Sequence, residues 1–168
     1  VLPRDDDAFR AWVAATYATS LRLARRIVAH DADAADVVQE SYVRAYVALR
    51  SGRFHGDEAS LAAWLRRIVT NAGLDALRAR RRLREDDDDA LATHDAGTPA
   101  DGTVDRDALD RAIRDLPDAQ RTAFVLRELE GYTLEETADR LGCTVGAVEQ
   151  RVLRAWAGLK RRLHDGPR

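Results

Sequence analysis

Residues 85–105 read EDDDDALATHDAGTPADGTVD, and no other stretch limits the fold as strongly. The segment is acidic, contains Gly97, Pro99 and Gly102, and has no apolar stripe at helical spacing, so it brings nothing to a hydrophobic core. It reads as a flexible acidic linker. The 168-residue chain is thereby cut into a block over 1–84 and a block over 106–168, each large enough for one small domain. Both blocks are rich in Ala and Leu and lack runs of alternating Val, Ile and Thr. The expectation is an all-α protein: an N-terminal helical bundle, the linker, and a C-terminal helix-turn-helix domain.

The formal net charge of −2 hides an uneven distribution. Residues 1–84 hold 15 basic and 10 acidic side chains, residues 85–110 hold 1 and 10, and residues 111–168 hold 11 and 9. Two weakly basic blocks flank an acidic connector, and it is the local field that governs binding to a polyanion. Lys160 is the only lysine among the 27 basic residues, as a GC-rich genome favouring Arg codons would give.

Several function classes drop out. Cys143 is the single cysteine, so no intramolecular disulfide and no cysteine-built metal site is expected, which fits a reducing, cytoplasmic setting. No apolar run approaches the roughly 20 residues of a membrane span, and residues 1–10 are acidic rather than signal-like. His30, His55, His94 and His164 are scattered without ligand spacing. There is no Gly-rich phosphate loop, nucleophile-elbow serine or paired His and carboxylate, so neither an enzyme nor a cofactor is expected.

In the first block, helices are expected near 8–17, 20–30, 34–50 and 60–83. From Ala34, residues Val38, Tyr42, Ala45 and Leu49 recur at spacings of 4, 3 and 4, one buried face. The opposite face carries Asp33, Asp36, Glu40, Val43 and Val47. Valines beside acids suit either packing on another helix of the bundle or docking of a protein partner. In the next helix Leu61, Trp64, Leu65, Ile68 and Ala72 form the core stripe, and Arg67, Asn71, Asp75, Arg78 and Arg82 run along one flank as a polar ridge. The ridge ends in RARRRLR, residues 78–84, where five like charges repel and an anionic partner would relieve the cost.

The second block is punctuated differently. Leu116-Pro117 opens a helix to about Glu130, with Pro117 suited to the first turn and Gly131 ending it. Thr133-Leu-Glu-Glu136 is a capping box that starts a short helix to Leu141. Gly142 supplies the turn, and Thr144 caps a last helix through Leu163. Helix, tight turn, helix is the helix-turn-helix pattern, with Ala138 allowing close approach and Val148 filling the angle. Val145, Val148, Val152, Trp156, Leu159 and Leu163 read as the buried stripe of the last helix. Away from it lie Ala147, Gln150 and Arg154, flanked by Glu149 and Arg151. Gln can pair with adenine, Glu can accept from cytosine, and Arg can take guanine or phosphate.

DADAADVVQESYVRAY (31–46), WLRRIVTNAGLDALRARRR (64–82) and LPDAQRTAFVLRELEGYTLEETADRLGCTVGAVEQRVLRA (116–155) together resemble the characteristic stretches of extracytoplasmic-function (ECF) sigma factors of bacterial RNA polymerase. The resemblance implies a subunit that directs promoter-specific initiation. The first block would bind the beta-prime clamp of core polymerase through Asp33, Asp36, Val37, Gln39, Glu40 and Val43. It would hold the unstacked minus-10 strand with Arg67, Asn71, Asp75, Arg78, Arg81 and Arg82, together with the loop 51–58. The second block would read the minus-35 element with Thr144, Ala147, Glu149, Gln150, Arg151 and Arg154, and the core-polymerase partner would comprise the beta-prime clamp and the beta subunit. The linker would thread the RNA path, its carboxylates imitating nucleic-acid charge. An anti-sigma factor is the implied regulator. Ala147, Glu149 and Gln150 depart from the family's usual hydroxyl and basic residues, and Ala35 and Tyr46 stand where Glu and Trp are common. A stand-alone helix-turn-helix regulator is the alternative, but it leaves the 67–82 ridge and the 33–47 face without a role.

Overall fold

The computed structural model describes residues 2–86 and 104–164. Every regular element among them is helical: α1 (Asp6–Val28), α2 (Asp31–Arg50), α3 (Glu58–Asp86), α4 (Val104–Arg114), α5 (Asp118–Phe124), α6 (Leu134–Leu141) and α7 (Val145–His164). A π-helical turn, Val125–Leu129, continues α5. The all-α expectation holds. The chain divides into two compact units, Val1–Thr93 and His94–Arg168. The linker expected over 85–105 lies outside the described residues except at its ends, where α3 runs on to Asp86 and α4 begins at Val104.

In the first unit, two helices near 8–17 and 20–30 are corrected to one. α1 is continuous because no Gly or Pro interrupts it, and its mid-helix hydroxyls are satisfied without breaking it: Thr16 donates back to the Trp12 carbonyl at 2.7 Å. The hydroxyls of Thr16 and Tyr42 share a hydrogen bond of 2.7 Å, and those of Ser20 and Tyr42 one of 3.1 Å. Asp5 caps the start by accepting from the Ala8 amide at 2.8 Å. The helix ends at Ala29, which sits in the left-handed region at φ 66°.

α1, α2 and α3 each pack against the other two. The core is Leu23, Ala24, Ile27 and Val28 of α1 with Val38, Ala45 and Leu49 of α2 and Leu61, Leu65, Val69, Ala72 and Leu74 of α3. The α2 stripe is as read from spacing. The α3 stripe is turned slightly, so that Val69 is buried and Trp64 and Ile68 are only partly covered. The cause is Gly73: a Cβ there would come within 2.9 Å of Ile27 Cγ2, so α1 and α3 approach more closely than any side chain allows.

The second unit packs α5, α6 and α4 against α7. Its α4 was not anticipated as a separate helix. α5 starts at Asp118 with Pro117 at the cap position rather than in the first turn. The helix expected to run to Glu130 changes to a π turn, in which the Glu130 amide donates to the Val125 carbonyl at 2.9 Å. Arg121 is fully buried. Its guanidinium donates to the Leu116 carbonyl at 2.9 Å, the Arg114 carbonyl at 3.4 Å and Asp118 Oδ1 at 2.7 Å. Arg162 adds a bond to the Asp115 carbonyl at 3.0 Å. Two arginines thus satisfy the carbonyls at the end of α4, where the helix dipole favours a cation. The α7 stripe is corrected: Val148, Val152, Ala155 and Leu159 are buried, whereas Trp156 is 51% and Leu163 45% exposed. Trp156 lies edge-on to Phe124, with ring centroids 5.2 Å apart.

Opposite effects are expected at two α1 contacts. Gly73→Ala gains helix propensity but overpacks against Ile27, and should cost about 1–2 kcal/mol net. Ala29→Gly relieves the left-handed cap and should stabilise by about 1 kcal/mol. Urea unfolding of the two variants beside the parent chain measures both signs.

Candidate nucleic-acid interface

The α3 ridge is built from the helix cap upward. Asp57 begins the helix by accepting from the Ser60 amide at 2.9 Å. Hydrogen bonds from the Ser60 side chain and then its backbone hold the exposed Asp57 carboxyl below the usual carboxylate range, so the cap is ionised at neutral pH. From this start, with the opposite face buried, Arg67, Asn71, Asp75, Arg78, Arg81 and Arg82 all emerge exposed. The structure therefore brings every expected residue of the ridge to one solvent-facing flank.

The ridge is tied to α2 by ion pairs. Arg78 Nη1 is 2.8 Å from Asp75 Oδ1, and Arg44 Nη1 is 3.9 Å from Asp75 Oδ2. Arg44 Nη2 is also 2.6 Å from Glu40 Oε1. Further along, Arg80 Nη1 is 3.3 Å from Asp33 Oδ2. These pairs are partly or largely exposed, so each contributes at most about 1 kcal/mol.

On the outer side of α2, Asp36, Gln39, Glu40 and Val43 are exposed and Asp33 is half-buried in its pair with Arg80. Val37 is corrected: it is 3% exposed and packs inward, so it holds the helix in place instead of meeting a partner. Val43 and Val47 remain 58% and 46% exposed, which favours a docking face over packing within the bundle. Beside them opens a groove of about 500 Å³ between α1 and α2, lined by Phe9, Val13, Tyr17, Gln39, Val43 and Tyr46 among others. Sequence reasoning missed the α1 side of this groove. The signal was present as Phe9, Val13 and Tyr17 at spacings of 4 and 4 within the helix expected near 8–17, but that row was not read as a face.

In the second unit the capping box forms as expected: the Glu136 amide donates to Thr133 Oγ1 at 3.1 Å and the Thr133 amide to Glu136 Oε2 at 2.9 Å. Gly142 takes φ 60° and its successor's amide bonds back to the Ala138 carbonyl at 3.0 Å. Thr144 Oγ1 accepts from the Ala147 amide at 3.2 Å and so starts α7. Ala123, Ala138, Val148 and Val152 fill the angle between the helices. Glu149, Gln150 and Arg154 are exposed, and Ala147 is half-buried. Arg151 turns back to the turn, with Nη1 3.2 Å from Cys143 Sγ. Arg140 stacks on Tyr132 at 4.4 Å, a cation–π contact that helps fix α6 and that spacing did not reveal.

Residues 12–83 match the family Sigma-70 region 2, and residues 106–157 match Sigma-70, region 4. The chain is similar to the RNA polymerase sigma-H factor of Pseudomonas aeruginosa, 38% identical over 149 residues, covering 80% of this chain and 75% of that protein. It is similar to the ECF RNA polymerase sigma factor SigM of Mycobacterium tuberculosis, 35% identical over 143 residues, covering 84% and 70%. Among solved structures it resembles the sigma factor RpoE of Bartonella quintana, crystallised with the anti-sigma factor NepR, at a TM-score of 0.63 and 26% identity over 95% of this chain and 98% of that one.

The two arginines of α7 should separate experimentally. Arg154→Ala should weaken promoter-duplex binding about tenfold with no change in melting temperature, since it removes one exposed contact. Arg151→Ala should lower the melting temperature as well, because it also removes the Cys143 contact. Fluorescence anisotropy and thermal unfolding of both variants test the distinction.

Proposed function

This chain belongs to the sigma-70 family and is an extracytoplasmic-function sigma factor of bacterial RNA polymerase, and on that premise we propose how its surfaces share the work of promoter-specific initiation. The work is binding: the chain selects the start site and opens the DNA there, while the polymerase makes the bonds. The reading rests first on the ridge of Arg67, Asn71, Asp75, Arg78 and Arg82, all exposed along one flank of α3.

That flank holds the displaced minus-10 strand. Arginines track the phosphates, and Asn71 and Asp75 bear hydrogen-bonding groups for an unstacked base; capture of a base offsets unpairing, which costs at most a few kcal/mol. Arg81 and Arg82 extend the phosphate track. The α2 face of Asp33, Asp36, Gln39, Glu40 and Val43, with the adjoining groove, docks on the beta-prime clamp of core polymerase. Covering Val43 and Val47 contributes about 1.5 kcal/mol, and the acids select a basic surface. In the second unit Glu149, Gln150 and Arg154 reach the major groove of the minus-35 element, with Thr144 and Ala147 at its edge and Arg151 held at the turn. Leu153, Trp156 and Leu163 are exposed apolar side chains on α7, which supports a protein partner there, the beta subunit in the initiation complex.

The same faces suit an inhibitor. RpoE of Bartonella quintana is held by NepR, and CnrH has been solved with the cytosolic domain of CnrY. An anti-sigma factor covering the docking faces is therefore part of this proposal, as is action in the cytoplasm. No described helix is long and apolar enough to cross a membrane. A stand-alone helix-turn-helix regulator gains no support, because the region 2 match runs over 12–83.

Run-off transcription with core polymerase, followed by mapping of start sites, tests the whole reading. Within it, Asn71→Ala should reduce permanganate reactivity of the opened strand about tenfold while initial promoter binding is retained, the loss of one captured base. Normal melting would refute the assignment. Asp36→Arg should abolish most retention of the chain on immobilised core polymerase; full retention would remove α2 as the docking face.

A further inference from the structure

Two arginines outside the expected ridge lie between the proposed docking face and the proposed strand-binding flank. Arg44 is on α2, in contact with Glu40 at 2.6 Å and within 3.9 Å of Asp75 on α3. Arg80 is on α3, 3.3 Å from Asp33 on α2. From Asp33 to Arg44 the α2 numbers rise while the α3 partners fall from Arg80 to Asp75, so the two helices run in opposite directions with these pairs as rungs. The first rung uses a carboxylate of the docking face, Asp33; at the second, the cation Arg44 is also held by a docking-face carboxylate of its own helix, Glu40.

We propose that Arg44 and Arg80 are further nucleic-acid-binding residues, held against Glu40 and Asp33 in the free chain and released to the strand when core polymerase takes those two carboxylates. The inference rests on the docking and strand-binding assignments above and adds the link between them. A basic partner that pairs with Asp33 leaves Arg80 without its counter-charge beside Arg78, Arg81 and Arg82. A basic partner that pairs with Glu40 frees Arg44 of its 2.6 Å contact and leaves it only the 3.9 Å approach to Asp75, a carboxylate that Arg78 already holds at 2.8 Å. In both cases the flank gains about one unit of positive charge without a backbone movement. Exposed pairs suit this purpose because they are weak enough to exchange. The coupling is reciprocal: a strand on the ridge, by drawing Arg44 and Arg80 away, leaves the two carboxylates readier for polymerase.

The test measures binding of the full free chain to a fluorescein-labelled, mixed-sequence single-stranded oligodeoxynucleotide across a salt series. Asp33→Asn and Glu40→Gln should each tighten binding about threefold to fivefold at low salt, the range open to one exposed pair. Each should also steepen the slope of log K against log salt by about 0.7, the signature of one more phosphate contact to a single strand. Arg80→Gln added to Asp33→Asn, and Arg44→Gln added to Glu40→Gln, should cancel the gains. Asp7→Asn is the matched control, since it makes the same charge change in the same unit by breaking the pair of Asp7 and Arg10 on α1. An equal gain from Asp7→Asn, or no gain from Asp33→Asn and Glu40→Gln, overturns the proposal. Promoter opening by Asn71→Ala in the complete polymerase is scored in parallel. A loss there with no gain in the free-chain assay sinks the link alone, whereas normal opening by Asn71→Ala sinks the strand-binding assignment itself.

Discussion

The close approach of α1 and α3 at Gly73 decides how α3 is rotated, and with it which side chains of that helix meet solvent. Only a residue without a Cβ lets Ile27 sit this near the α3 backbone. Once Gly73 faces Ile27, Val69 and Ala72 must face the core and Asn71, Asp75 and Arg78 must face out, because neighbours in a helix are 100° apart. A ridge of one amide, one carboxylate and several guanidinium groups then has its line set by an apolar contact. The helix spends its hydrophobic face on stability and leaves its polar flank under no packing constraint, which is what a strand-binding surface requires.

The second constraint is electrostatic. Asp75 lies between Arg44 and Arg78, and Asp33 beside Arg80, so the ridge of the free chain is less positive than its arginine count suggests. Surface pairs of this kind add little to stability. Their consequence is for binding, because a carboxylate that neutralises an arginine is also one that a basic partner can take. The proposed docking face and the ridge are therefore parts of one charge balance, although they lie on different helices.

Much of this was legible in residue spacing, and the gaps have physical reasons. Val38, Tyr42, Ala45 and Leu49 recur at helical intervals on a helix buried on one side, so period alone found them. The capping box at Thr133 and the turn at Gly142 carry local chemistry that needs no tertiary contact, and both formed as read. α1 was divided near Thr16 and Ser20, whose hydroxyls are tied by hydrogen bonds to Tyr42, 26 and 22 residues away, a contact that spacing along one helix does not show. Val37 was placed on the docking face by resemblance alone, yet a three-helix bundle buries a wider stripe than a two-helix contact and takes it in. Trp156 and Leu163 were assigned to the core on hydrophobicity, whereas Ala155 holds that position and the larger side chains stay out. Arg151 was read as outward-facing from its angle on α7, and its length let it fold back to Cys143. The π turn at Val125–Leu129 has no pattern of its own, since it differs from α-helix by one residue of register.

Arginine shows where composition stops explaining and position begins. A genome bias accounts for 26 arginines against one lysine as a total, but not for Arg121. That guanidinium reaches two backbone carbonyls and a carboxylate from a fully buried site. A lysine has three donors, but on a single nitrogen that would have to reach acceptors spread over Arg114, Leu116 and Asp118, and burial would favour its neutral form. At Arg162 and in the ridge the argument weakens step by step, from a guanidinium bridging two carbonyls to charges whose main requirement is to stand near a phosphate. The bias could have placed arginine anywhere; the fold makes it necessary at Arg121, useful at Arg162, and interchangeable with lysine mainly where the partner is a strand whose position varies.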